Sequence, residues 1–111
     1  PLPVPGFDVP ERWSKQQILK GQAIDDMDIP VVGQTTAFDA RDRLLAELAD
    51  LILDGRVALV DPLERLCNAD RCRLVQNGRS NFRDDSHLSH AASLDFTSDL
   101  RAAYARLRSA P

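Results

Sequence analysis

Apolar residues recur at helical spacing through the middle of the chain. Ala40, Leu44, Leu48, Leu51 and Ile52 share one face, which Leu45 and Ala49 widen. This predicts a helix capped by Thr36 or Asp39 and stopped at Gly55. The pattern then changes to a continuous apolar run, Val57-Ala58-Leu59-Val60, ended by Asp61-Pro62. Such a run predicts a strand buried on both faces of a parallel sheet. Helix, glycine turn and buried strand together form half of a βαβ unit. A second helical period, through Ala92, Phe96, Leu100, Ala103 and Leu107, predicts a final helix over 89–108. Its Arg101, Arg106 and Arg108 suit the negative end of a helix dipole. The first 35 residues read as an extended, proline-rich lead-in with a short helix from Pro10 to Lys20, stopped at Gly21. Ile29, Val31 and Val32 make a short candidate strand broken by Gly33. Residues 63–86 have no clean period and read as a long loop with a hairpin at Asn77-Gly78.

These elements make an α/β chain, expected to be a single domain with a lead-in at 1–35 and a helix–strand–loop–helix unit at 36–111. One convincing strand cannot make a stable parallel sheet. The expectation is therefore a partial domain whose other strands lie outside this sequence. The 111 residues begin at Pro1 without an initiator Met, which reads as a processed product or a piece of something larger. A composition of 43% hydrophobic and 28% charged residues is that of a folding chain rather than a disordered one. The formal charge of −3 argues against a nucleic-acid partner, which calls for a basic face. No apolar run reaches the roughly 18 residues of a membrane span.

The sharpest chemical feature is Asp84-Asp85-Ser86-His87 ahead of the final helix. A carboxylate three residues before a histidine, on a turn, can fold back onto the imidazole Nδ1–H. That fixes the tautomer and leaves Nε2 free as a general base. The bland reading makes Asp84, Asp85 or Ser86 a helix cap, with His87 in the first turn. Cys67 and Cys72 admit three readings at this point: a local disulfide, half of a zinc site, or two separate thiols. The zinc reading would combine them with His87 and His90 as a small Cys2His2 module without catalysis. Its histidines are spaced by only two residues, against three to five in a finger. Ser80 reads as a turn residue, Trp13 as a packing anchor, and Asp25, Asp26 and Asp28 as a solvated loop.

Several short motifs together resemble a known family. Phe82, Asp84, His87, Leu88 and Ser89, opening a C-terminal helix, look like the last block of SGNH (GDSL-type) hydrolases. Val60, Asp61 and Pro62, then Leu66, Cys67, Cys72 and Gly78, resemble the SGNH domain fused to bacterial membrane O-acyltransferases. Pro3-Val4-Pro5 with Gly6-Phe7-Asp8 and Pro10 is similar to the segment after a central strand there. Ala92 and Ser93 stand where the family usually has Gly and Ala, and Phe82 replaces a common Tyr. The Gly-Asp-Ser nucleophile block and the Gly and Asn of the oxyanion hole have no counterpart in this sequence.

The resemblance implies the C-terminal part of a three-layer α/β/α, flavodoxin-like SGNH domain. Asp84 and His87 would be the catalytic residues that this part contains, without cofactor or metal. The parent would O-acetylate cell-envelope glycans on the periplasmic side of the bacterial inner membrane, beside a membrane acyltransferase domain in the same chain. Whether this chain is an enzyme by itself is left open, and it is expected to be inactive without its serine. An extracytoplasmic setting favours a Cys67–Cys72 disulfide. An exposed edge at Val57–Val60 would allow a homo-oligomer.

Overall fold

A computed structural model describes residues 2–109. Its elements in order are α1 (Val9–Lys20), β1 (Met27–Pro30), a 3-10 turn (Val31–Gln34), α2 (Thr35–Leu53), α3 (Pro62–Leu66), β2 (Arg71–Gln76), β3 (Arg79–Ser80), α4 (His90–Leu94) and α5 (Thr97–Ser109). The chain mixes helix and sheet, the α/β class expected of a partial domain.

The helix ends obey the local chemistry of the sequence. Asp8 caps α1 by accepting the Glu11 N–H, and Gly21 closes it in the left-handed conformation at φ 66°. Gln34, not Thr36 or Asp39, precedes α2, because the helix runs directly out of the 3-10 turn. The Gln34 side chain is used elsewhere. Its amide accepts the Val4 N–H and donates to the Val4 carbonyl at 3.0 Å, pinning the proline-rich lead-in.

The sheet departs from the expectation. It is three-stranded in the order β1-β2-β3, with both pairings antiparallel. Most of its strand residues come from the stretch read as a long loop. Along Arg71-Cys72-Arg73-Leu74 the side chains alternate exposed and buried, the two-residue period of a strand. The hairpin at Asn77-Gly78 forms as expected. Both residues have positive φ, 53° and 73°, as a tight hairpin turn requires. The first strand covers Met27–Pro30, so Val31 and Val32 pass into the 3-10 turn.

Val57–Val60 belongs to no strand. It is half-buried, and Ala58, Leu59 and Val60 make no backbone hydrogen bond among the described residues. An apolar run records a tendency to be buried, but a ladder also needs a neighbour. None is supplied among the described residues, so this segment joins no sheet within the chain.

The final helix is also two helices. At Asp95-Phe96 the chain turns, which places the Phe96 ring in the core at 7% exposure and sets Asp95 against Arg79 at 2.9 Å. The core gathers Val9, Leu66, Leu74, Val75, Phe82 and Phe96 under the sheet, with Trp13, Met27 and Ile29 packed at its margin. Trp13 is an anchor, as expected, and its indole N–H donates to the Ile24 carbonyl at 2.7 Å.

Candidate active site

The segment that carries Asp84 and His87 is a closed loop between β3 and α4. Phe82 and Leu88 face each other as an isolated antiparallel bridge, the Arg83 N–H donates to the His87 carbonyl at 2.8 Å, and the Ser89 N–H donates to the Asn81 carbonyl at 2.9 Å. Phe82 is fully buried, so the base of the loop is rooted in the core. A third tie comes from the start of α1, where the Val9 N–H donates to the Asp84 carbonyl at 3.3 Å.

Inside the loop, one carboxylate oxygen organises the backbone. Asp84 Oδ1 accepts the Ser86 N–H at 2.9 Å and the His87 N–H at 2.7 Å. This is the aspartate turn to which short acidic side chains are suited. The same carboxylate meets the imidazole, with His87 Nδ1 at 2.9 Å from Oδ2 and 3.2 Å from Oδ1. The two backbone N–H groups, first Ser86 and then His87, hold the Asp84 carboxyl down at about 2, and the His87 ring adds to the effect. An ionised carboxylate only accepts hydrogen bonds. Nδ1 therefore carries the proton and Nε2 presents the lone pair. Nε2 makes no hydrogen bond among the described residues, and the His87 side chain is 62% exposed. The expected pairing of Asp84 with His87 is thus present in space. The cap reading is not, because α4 starts at His90 with Ser89 as its cap.

Cys67 and Cys72 are joined by a disulfide across a tight turn, with their Cα atoms 4.0 Å apart. Asn68 shapes that turn by accepting the Asp70 and Arg71 N–H groups, each at 2.8 Å. The cysteine sulfurs are therefore no thiolates, and among the described residues no cluster of three or more His, Cys, Asp or Glu converges as a metal site. The four-ligand module with His87 and His90 is not what these residues form. Ser80, at the end of β3, spends its hydroxyl on the Phe82 backbone, donating to the carbonyl at 2.6 Å and accepting the N–H at 3.2 Å. The acidic loop braces the hairpin: Asp26 accepts the Asn77 N–H at 3.2 Å, and the Asp25 carbonyl accepts that of Gly78 at 2.8 Å.

The sequence marks Ser89 in the family block and at the head of a helical period, and Pro10 near the α1 start; that these and Asn81 support the loop depends on distant partners that no local pattern names. A cleft of about 450 Å³ lies elsewhere, between Leu59, Val60, Arg65, Asp99 and Arg106.

A carboxylate-oriented imidazole with an open Nε2 can chemically take up a proton at Nε2, the geometry that a general base requires. A family model described as SGNH domain (fused to AT3 domains) matches residues 2–101, and the chain belongs to that family. No match is found among curated proteins or among solved structures.

Proposed function

We propose that this chain is the C-terminal part of an SGNH domain and supplies the Asp84–His87 pair of a Ser-His-Asp triad. The supporting observation is the Asp84 carboxylate on His87 Nδ1, with Nε2 open to solvent. In the complete domain, a serine hydroxyl from outside this sequence gives its proton to His87 Nε2 as its oxygen attacks an acyl carbonyl. The imidazolium, stabilised by ionised Asp84, returns that proton to the leaving group. An acceptor hydroxyl then attacks the acyl-enzyme as His87 takes its proton; the bond from the acyl carbon to the serine oxygen breaks, and His87 returns the proton to that oxygen. Oxyanion donors, each worth about 3–4 kcal/mol in such sites, also come from outside this sequence.

The family's fusion to AT3 domains supports a membrane acyltransferase as the partner domain in the parent. We assign the parent to O-acetylation of bacterial envelope glycans on the periplasmic side of the inner membrane. The Cys67–Cys72 disulfide fits an oxidising compartment. Among the described residues, no helix is long and apolar enough to cross a membrane.

The test has two arms. The purified chain hydrolyses p-nitrophenyl acetate no faster than buffer. In the parent acyltransferase, His87→Ala and Asp84→Asn each lower acetyl transfer by on the order of 10⁴-fold. Esterase activity in the isolated chain that His87→Ala removes would overturn the first arm. An undiminished parent variant would overturn the assignment of the pair.

A further inference from the structure

We propose that Ser89 is a positioning residue for His87, and that its hydroxyl and backbone N–H hold the Asp84–His87 loop closed. The His87 ring is 62% exposed, so packing does little to fix it and its position depends on closure of the loop that carries it. Ser89 makes that closure twice. Its Oγ–H donates to the Ser80 carbonyl at 2.7 Å, and its N–H donates to the Asn81 carbonyl at 2.9 Å. The same Oγ accepts the Ala92 N–H at 3.1 Å. One hydroxyl, with one proton and two lone pairs, therefore caps α4 and ties it to the end of β3.

The anchor on the other side is rigid. Asn81 is 2% exposed, its N–H donates to the Leu74 carbonyl at 2.8 Å, and its Nδ2 donates to the Arg73 carbonyl at 3.2 Å. A continuous path thus runs from β2 through Asn81 to Ser89. Opening the clamp would separate Phe82 from Leu88 and release the His87 carbonyl from the Arg83 N–H. Nδ1 would then be free to drift from Oδ2.

The experiment reads the His87 ring directly in the 111-residue chain, by proton–nitrogen correlation spectra of histidine-labelled protein, with thermal melting recorded alongside. His90, an exposed neighbour, is the internal control. Ser89→Ala loses both roles of the hydroxyl. Ser89→Asp keeps a good cap but cannot donate to the Ser80 carbonyl. Ser89→Thr keeps both. In spectra of the neutral ring, the native chain and Ser89→Thr carry the His87 proton on Nδ1, against Asp84. In Ser89→Ala and Ser89→Asp the ratio of paired to unpaired ring falls about two- to tenfold, the loss of one net hydrogen bond. If Ser89→Ala does not fold, Ser89→Asp carries the test. An unchanged His87 signal in Ser89→Asp, or its loss in Ser89→Thr at an unchanged melting temperature, overturns the proposal. The role in turnover rests on the proposed function and has its own readout in the parent acyltransferase: Ser89→Asp lowers kcat and leaves KM unchanged. A parent indifferent to His87→Ala removes the catalytic reading, while the spectra still decide the clamp.

Discussion

Asp84 carries three duties with one carboxylate. It folds the backbone through two N–H groups, fixes the tautomer of His87 and stays charged while doing so. Its folded-state value of about 2 lies below the ordinary 3.8. The stabilisation that the loop draws from the ionised group is therefore complete above pH 3.8 and is lost as the pH falls through about 2. A carboxyl-carbon NMR titration of Asp84 should show its midpoint near 2. A midpoint at the ordinary value would show that the two backbone N–H groups do not hold the carboxylate in solution.

Among the elements, the disulfide joins the end of α3 to the start of β2, the strand whose carbonyls hold Asn81. A bridge over so short a loop stabilises by about 2 kcal/mol. Replacing Cys67 and Cys72 together by serine should lower the unfolding free energy by that amount in urea, and a change well under 1 kcal/mol would count against the bridge as a support. What was legible in the sequence at this scale was local. The Asp84–His87 pairing spans three residues, the Asn77-Gly78 turn two, and the α1 caps belong to single residues. What was not legible depends on distant partners. Met27 pairs with Val75 across the sheet, and nothing near either residue names the other. The break at Asp95-Phe96 was hidden because the apolar period runs through it unbroken. The alternation in β2 was visible, but its cysteine was weighed for chemistry and not for its place in a strand.

As a whole, the molecule is long, 57 × 26 × 20 Å, and its radius of gyration of 16.2 Å exceeds the about 13 Å of a compact chain this size. Only Ala37 of α2 is buried, and Leu44 is 42% exposed. Beside it, Val57–Val60 carries apolar side chains, and Ala58, Leu59 and Val60 make no backbone hydrogen bond among the described residues, which invites pairing with another chain. The isolated chain should therefore show concentration-dependent association in sedimentation velocity, and Leu59→Lys should suppress it. A native chain that stays monomeric across the concentration series would show that this segment is satisfied by water alone. The lead-in solves the same accounting differently. A primary amide both gives and receives, so Gln34 serves Val4 as a neighbouring strand would, with a single side chain in place of a ladder. From that one fastening the chain continues to Val9 and the Asp84 carbonyl. The opening residues therefore reach the imidazole loop by one side-chain fastening and one main-chain hydrogen bond, with no strand of their own.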